Sequence, residues 1–412
     1  MNAPLDRTDL ILSRRGFLRG AGAVGVGAAL ADRGSAVEPS SDKKVRIGIA
    51  GGRFGCAFQW HEHPNCVVAA VADPRPDRLQ ALVETYGCKR TFPTLEEMVL
   101  ADDLDAIGVF TPAPDHVRHC TLALEHGKHV ISAVPAAMTL EECQKLVDTV
   151  RKTGLTYMMA ETSYYQQATI SARKFFREGA FGNIFYTESQ YHHAGLEELW
   201  FEEGKWTWRH GLPPMHYPTH CTAHLIGVTG ERLVEVSCLG WARDDEVIRG
   251  NPYNNPFWNE TAFFKTDAGN AFRVAVYWRG AHRGTERAQW YGDKMSFFFP
   301  DPNGIGPVVV RQGDLAEIDS GGFKRAANIL EPYEQPEWWK TNLLPEPLRH
   351  NSGHEGSHTF LTHEFIDALV HGRRPTVDVY EAVAYTAPGI VAHQSALKGG
   401  EQMKIPDFGR AS

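Results

Sequence analysis

The chain runs to 412 residues with a formal charge of −8, 42% hydrophobic residues and 22% charged ones. That acidic balance argues against a nucleic-acid surface or a polybasic membrane patch, and the length suffices for two domains with cores of their own. Seven scattered cysteines, with no CxxC, support neither a disulfide framework nor a cysteine zinc site.

Near the start stands Ser13-Arg14-Arg15-Gly16-Phe17-Leu18-Arg19-Gly20, a twin-arginine stretch, followed by a mild apolar run from Ala21 to Leu30. The run is rich in Gly and Ala and too short to span a bilayer. Small residues suited to cleavage follow at Ala29-Leu30-Ala31 and Gly34-Ser35-Ala36. Residues 1–40 are therefore expected to be a twin-arginine export signal and linker, delivering the protein to the periplasm or another extracytoplasmic space. A basic disordered tail is the alternative. No later segment is long and apolar enough for a membrane anchor after export. An enzyme in that place has no free pool of nicotinamide nucleotide, so such a cofactor would travel bound and be regenerated within each cycle.

From Val45 the rhythm is strand, turn, helix. Apolar strands are expected at 45–49, 67–72, 106–110, 129–132 and 156–160, and helices at 77–86, 94–100, 116–126 and 139–153. Thr139 caps the last helix with Glu142 three residues on. Continuous apolar strands alternating with helices mean a doubly wound parallel sheet, an N-terminal α/β Rossmann domain over 44–161. Its first turn, Ala50-Gly51-Gly52-Arg53-Phe54-Gly55, has the glycines that let backbone approach a pyrophosphate, and a helix N-terminus behind them would offer unpaired N–H groups. Ala50 takes the first glycine position of GxGxxG, or the loop is one residue shorter. Asp73, eighteen residues past Gly55 at the end of the second strand, is placed to accept from the adenosine ribose hydroxyls. Arg75 is the residue that would meet a 2′-phosphate; with Asp73 intact the pattern favours NAD over NADP. A nucleotide-free Rossmann scaffold is the alternative.

After residue 162 the period changes to two. Half-buried strands are expected at 184–192, 233–241, 261–266, 271–277 and 289–298, with Asp267-Ala268-Gly269-Asn270 as a hairpin turn. Residues 162–412 thus read as an α+β substrate domain with a mostly antiparallel open sheet. Residues 300–357 read as a long loop-rich segment, of a kind that is functional or oligomeric, before closing helices at 358–370 and 380–397.

His216, Tyr217, His220 and His224 fall within nine residues of this domain. Tyr217 precedes Pro218, which suits a helix start, and His220 and His224 then share one helix face. One reading is a first-turn active site in which His220 and Tyr217 do acid/base work; the other is a helix start with two half-buried, hydrogen-bonded histidines. A helical His-x3-His pair with a third imidazole would suit zinc, and His354 with His358 is a weaker version of the same case. No carboxylate or cysteine lies nearby at a convincing ligand spacing, so no metal is expected.

The nucleotide turn, the run Asp105-Ala106-Ile107-Gly108-Val109-Phe110-Thr111-Pro112 and the run from Gly127-Lys128-His129-Val130 to Val134-Pro135 together resemble the Gfo/Idh/MocA oxidoreductase family. Within that family the chain is similar to the NAD-dependent α-N-acetylgalactosaminidase branch, glycoside hydrolase family 109. The stretches that carry this are Gly127 to Ala137, Met158-Met159-Ala160-Glu161, Tyr217-Pro218-Thr219-His220, and the tail with Pro375-Thr376-Val377-Asp378, Gln394-Ser395 and Ile405-Pro406-Asp407-Phe408. The implied cofactor set is Gly51, Gly52, Phe54, Gly55, Asp73, Thr111, Pro112, His116, Val134 and Pro135. The substrate set is Tyr191, His193, Arg209, Tyr217 and His220. Ordinary dehydrogenases of the family keep a lysine in a Glu-Lys-Pro triplet beside the nicotinamide; here Ala133-Val134-Pro135 stands there. The hydrolase branch has a glutamate where this chain has Ala133 and an asparagine where it has Thr162. His216 stands where common dehydrogenases have an aspartate, which makes it a third titrating candidate.

The expected chemistry is removal of hydride from a sugar carbon by tightly held NAD, with His220 as the first candidate base and Tyr217 or His216 as the second. Oxidation to a ketone acidifies the neighbouring C–H. Elimination of the glycosidic group, water addition and return of the hydride would then give net hydrolysis. The alternatives are a sugar oxidoreductase with bound NAD(P) and, from another class, a sugar-binding pseudoenzyme. The expected partners are a small sugar or glycoside and further copies of the chain in a homo-oligomer.

Overall fold

The computed structural model describes residues 42–193, 197–282, 284–300 and 306–410; the expected export signal lies outside the described residues. Six strands form the first sheet: β1 Val45–Ala50, β2 Cys66–Ala72, β3 Thr91–Phe92, β4 Ala106–Val109, β5 His129–Ser132 and β6 Tyr157–Met159. All are parallel, in the order β3-β2-β1-β4-β5-β6. Helices α1 Pro76–Tyr86, α2 Leu95–Met98, α3 His116–Glu125 and α4 Leu140–Thr153 cover it. Because both faces are covered, the strands carry apolar side chains on both, and Ile47, Ile49, Val71 and Ile107 are wholly buried. Thr94 and Thr139 cap their helices by accepting from the backbone of Glu97 and Glu142, and Gly154 closes α4 in the left-handed conformation. Strand order reverses between β1 and β4, which opens a crevice at the carboxyl ends of the strands.

One expectation fails here. No α-helix follows the glycine turn: a four-residue 3-10 turn, Phe54–Ala57, stands in its place. The crossover to β2 is packed by aromatic rings instead, with Phe58 stacked on Phe110 at 4.7 Å and on Trp60 at 5.5 Å. Four residues make barely one turn, so the dipole of a helix N-terminus is not available to a pyrophosphate at this turn.

The second sheet has nine strands in the order β18-β15-β14-β13-β7-β12-β11-β10-β19. These are β7 Ile184–His192, β10 Leu233–Ala242, β11 Phe257–Thr266, β12 Ala271–Tyr277, β13 Thr285–Gly292, β14 Met295–Phe299, β15 Val308–Arg311, β18 Glu331–Pro332 and β19 Met403–Lys404. Every pairing is antiparallel except β7 with β12. Two separate hairpins are β8 Phe201–Glu202 with β9 Lys205–Trp206, and β16 Leu315–Ser320 with β17 Phe323–Asn328. Of the remaining helices, α5 Gln167–Arg177, α6 Thr219–Thr229, α7 Gly353–His371 and α8 Val379–Leu397, α6 packs on β7 and β13 and α8 on β10.

The strand expected at 289–298 is in fact two, β13 and β14, turning at Asp293-Lys294. The Asp293 carboxylate fixes the turn by accepting from the backbone and side-chain nitrogens of Asn183, both at 2.9 Å. The segment 300–357 is less loop-like than its composition suggests, since β15 to β18 lie in it. Before the regular part of α7, His354, Glu355 and Gly356 all take left-handed φ values of 50°, 57° and 87°, a costly conformation for the first two.

Candidate active site

At the crevice beside β1, Gly51 adopts φ 103°, and a Cβ there would lie 2.2 Å from the carbonyl oxygen of Phe110. A Cβ on Gly52 would lie 2.0 Å from the carbonyl oxygen of Arg78 on α1, so neither position admits a side chain. The Asp73 carboxylate accepts the Gly52 N–H at 2.7 Å and the Arg75 N–H at 2.9 Å, tying the turn to the end of β2. The cleft encloses about 370 Å³ and is lined by Gly51, Phe54, Asp73, Thr111 and Pro112, together with Trp208 and Arg209 from the second domain.

Charge around this cleft is unevenly satisfied. Glu202 on β8 pairs with Arg53 and, at 3.0 Å, with Arg78, while Glu203 pairs with Arg75 at 2.6 Å. The Arg209 guanidinium, by contrast, makes no hydrogen bond or ion pair among the described residues and lies 4.2 Å from the Trp208 ring. A dinucleotide suits this donor set. Asp73 can accept from ribose hydroxyls, and an unpaired half-buried guanidinium can meet a pyrophosphate that has no helix N-terminus to rest on. Arg75 is already engaged with Asp77 and Glu203, which leaves a 2′-phosphate without its expected cation.

The Arg209 charge also acts on the Tyr217 hydroxyl, which leads to a second cluster. His220, in the first turn of α6, is 4% exposed. Its Nδ1 lies 2.7 Å from Oε1 of Glu161 and 3.0 Å from Oγ of Ser163. Glu161 is wholly buried just past β6, where its carboxylate caps the short turn Thr162–Tyr165 by accepting the Ser163 N–H at 2.9 Å. The Ser163 hydroxyl in turn donates to Oε1 of Glu286. Glu286 on β13 pairs directly with Tyr191 on β7, so the two side chains stand on one face of the sheet. The Tyr191 ring is 4.6 Å from the His220 ring and stacks at 5.8 Å on Tyr217, whose own ring is 5.1 Å from His220.

Burial works against charge on every member of this cluster, and the pairings decide the outcome. Burial would lower His220, but the charge of Glu161 and the hydrogen bond to it raise the imidazole above its ordinary value. Burial would raise Glu161, yet His220, Thr219 and the Ser163 amide bring it to about 2. Glu286 lacks so close a cation, and burial pushes its carboxyl up to about 7. Burial also raises Tyr217 to about 12, so its hydroxyl stays protonated. An ionised Glu161 can only accept, which places the His220 proton on Nδ1 and leaves Nε2 as the accepting nitrogen of the neutral ring.

Residues 45–161 match the oxidoreductase family with the NAD-binding Rossmann fold, Gfo/Idh/MocA, and residues 315–412 match the glycosyl hydrolase 109 C-terminal domain. A glycosyl hydrolase family 109 protein of Solibacter usitatus is 28% identical over 97% of this chain and 97% of its own. The alpha-N-acetylgalactosaminidase of Bacteroides fragilis is 26% identical over 77% of this chain and 78% of its own. The chain carries a Gfo/Idh/MocA NAD-binding domain and a family 109 C-terminal domain. Levoglucosan dehydrogenase, solved with NADH and L-sorbose, is similar in fold, with a TM-score of 0.70 at 18% identity over 89% of this chain and 100% of that one. The Gfo/Idh/MocA domain of this chain binds NAD as its cofactor.

The remaining expected residues divide by their partners. Where a Gfo/Idh/MocA dehydrogenase has its lysine, the buried apolar Val134 stands, followed by Pro135. His116 is buried with Nδ1 2.7 Å from the Pro135 carbonyl and Nε2 2.9 Å from the Thr111 carbonyl, so it ties the two cofactor loops together and has no ring nitrogen left over. His193 lies edge-on to Tyr191 at 5.7 Å. His216 lies edge-on to His393 at 5.2 Å, and its buried Nδ1 has no hydrogen-bond partner. Burial and His393 hold His216 at about 3, far below what a base near neutrality requires. His224 is packing: it is wholly buried, with Nδ1 2.8 Å from Ser189 Oγ and Nε2 3.3 Å from Gln166 Oε1. Among the described residues no group of three or more His, Cys, Asp or Glu is arranged to hold a metal.

Ser163 and Glu286 were not expected, and Glu161 was noted only as part of a motif. A signal for Glu286 existed. It shares the inward phase of β13 with Ala288 and Trp290, both wholly buried, where an acid is out of place without a task.

Proposed function

We propose that the protein is an exported carbohydrate enzyme in which tightly held NAD acts at a sugar carbon, with glycoside hydrolysis as the net reaction. The observation that carries this reading is the buried pair of Glu161 and His220, 2.7 Å apart, bracketed by the rings of Tyr191 and Tyr217. Bound NAD supplies the hydride acceptor, and later the donor. His220 takes the hydroxyl proton at Nε2, and Glu161 fixes the ring and stabilises the imidazolium that forms. Tyr217, kept protonated by burial, donates a hydrogen bond to a sugar oxygen. The aromatic faces of Tyr191, Tyr217 and Trp278 suit the apolar faces of a sugar ring. Once the hydroxyl-bearing carbon is a ketone, the neighbouring C–H is acidic enough for the glycosidic group to leave and for water to add.

The relatives named for family 109 and α-N-acetylgalactosaminidase support hydrolysis, and the twin-arginine stretch at Arg14-Arg15 supports export. Leu239, Trp241 and Phe263, exposed on the outer face of the large sheet, support a homo-oligomer. Turnover of an α-N-acetylgalactosaminide in deuterium oxide tests the chemistry. Deuterium is expected in the product sugar at the carbon next to the one oxidised, and its absence after many turnovers would exclude this route. Ala133 and Thr162, where the hydrolase branch has glutamate and asparagine, favour a second reading, a sugar oxidoreductase with bound NAD(P). Stable absorbance of reduced nicotinamide on addition of a single sugar would mark that outcome.

A further inference from the structure

We propose that Glu286 stores the sugar hydroxyl proton during the oxidised phase of the sugar, receiving it from His220 through Ser163. This rests on the redox reading above and concerns residues that the reading leaves without a task. Two carboxylates flank one imidazole. Glu161 contacts Nδ1 directly, whereas Glu286 reaches the same nitrogen through a hydroxyl: Ser163 Oγ is 3.0 Å from Nδ1 and hydrogen-bonded to Glu286 Oε1.

The hydrogen bonds run in the order a relay needs. As the sugar O–H bond breaks, its proton goes to Nε2 of His220; NAD held at Gly51, Gly52 and Asp73 would supply the acceptor for the carbon's hydride. The Nδ1 proton passes to Ser163 Oγ, and the proton Ser163 already carries passes to Glu286 Oε1. The imidazolium paired with Glu161 is thus transient. His220 ends neutral with its proton on Nε2, Ser163 keeps one proton and turns it towards Nδ1, and Glu286 changes from carboxylate to carboxylic acid. When the ketone is reduced again every move reverses, so proton and hydride both return to the carbon and oxygen they left.

The surroundings of Glu286 suit storage rather than permanent charge. Facing it are His220 and Cys221 of α6, Glu161 and Ser163 beyond β6, Tyr191 of β7, Tyr217 before α6, and Glu355 in the irregular first turn of α7. His220 and the hydrogen bond from Ser163 favour the carboxylate, but burial outweighs both. Burial, with Glu161 and Glu355 adding to it, brings the carboxyl to about 7, where an acid both accepts and returns a proton near neutrality. Glu161, held at about 2, orients His220 but cannot store its proton.

The test follows protons in a single turnover of the NAD-loaded enzyme with methyl α-N-acetylgalactosaminide, in weak buffer at a pH one unit above the Glu286 titration. A pH indicator and the absorbance of reduced nicotinamide are read together. The wild type is expected to reduce its nicotinamide without releasing a proton, whereas Glu286→Gln and Ser163→Ala release one proton for each nicotinamide reduced. Equal release by all three proteins would overturn the proposal. If this sugar reduces no nicotinamide, the functional reading fails separately, and the resting protein still decides the Glu286 assignment. The infrared carboxylic-acid band that Glu286→Gln removes is then expected to titrate near neutrality and to shift in Ser163→Ala. Loss of that band already in the ordinary range for glutamate, or no effect of Ser163→Ala, would overturn the proposal.

Discussion

Nδ1 of His220 and Oε1 of Glu161 lie 2.7 Å apart, with both side chains closed off from solvent. Neither charge is tolerable there alone, because an unpaired ion in such a place is strongly disfavoured. Together they specify a tautomer. Glu161→Gln keeps the shape but removes the carboxylate that holds the proton on Nδ1. The variant is expected to lose about 10²–10⁴ in kcat/KM, as when the orienting acid of a triad is made neutral. Glu161 raises His220, so the acid limb of the pH–rate profile moves to lower pH in the variant. Profiles of kcat/KM against pH for both proteins check the shift, and an unmoved limb would mean that another group is the base.

His216 and His220 stand four residues apart and differ in what surrounds them. His220→Asn is expected to lower kcat/KM by about 10²–10⁴, the usual contribution of a general base. His216→Asn, at a ring already neutral and turned to His393, is expected to cost less than about tenfold and to leave the shape of the pH profile intact. Comparable losses in the two variants would return His216 to the catalytic set.

Gly52 is the test of the nucleotide turn. A methyl group there meets the Arg78 carbonyl at 2.0 Å, so Gly52→Ala must displace the turn and break its bond to Asp73. Binding of NAD, measured by titration calorimetry on stripped protein, is expected to weaken at least about tenfold, or about 1.4 kcal/mol. Gly87→Ala serves as control. Nothing lies within 4 Å of its added methyl, so it is expected to lower stability through its φ of 62° without changing NAD affinity.

Buried imidazoles set the response of stability to acid. Burial brings His63, His216 and His224 to about 3, and His354 and His363 to about 4. Unfolded, each binds its proton near 6.5, so below that pH the unfolded chain holds more protons than the folded one. Stability from these five therefore falls as pH drops from about 6.5 towards 4. Glu286 acts in the opposite sense, since its raised carboxyl favours the folded protein as pH falls from neutrality. Glu355, Asp378 and Glu381, also raised by burial, act with Glu286. But His116, His119, His129 and His358, lowered by burial, add to the five, and Tm by scanning calorimetry is expected to decline across that window. The decline is expected to be shallower in His224→Gln, whose amide can still meet Ser189 and Gln166.

The Rossmann half was readable in advance because strands buried on both faces are written as unbroken apolar runs. β1, β2, β4, β5 and β6 all lie within one residue of their expected ends. The crossover behind Gly51 was not readable. What replaces its helix is a stack of Phe58 on Phe110 and on His358, contacts made across distant parts of the chain. The same reason hid most of the active site. Tyr217 and His220 are neighbours in sequence, so their nearness was legible there. Glu161 reaches His220 across 59 residues and Glu286 reaches Ser163 across 123, and no local pattern encodes such meetings.

The β8–β9 hairpin bears on how the cofactor comes and goes. Through Glu202 and Glu203 it grips Arg53, Arg75 and Arg78 on the nucleotide rim from the second domain. Those three arginines line the cleft, so the hairpin fixes the rim past which a dinucleotide would come and go. Solvent reaches all of these pairs, and salt weakens such contacts. Ionic strength therefore becomes a dial on cofactor exchange, turned from outside the binding pocket.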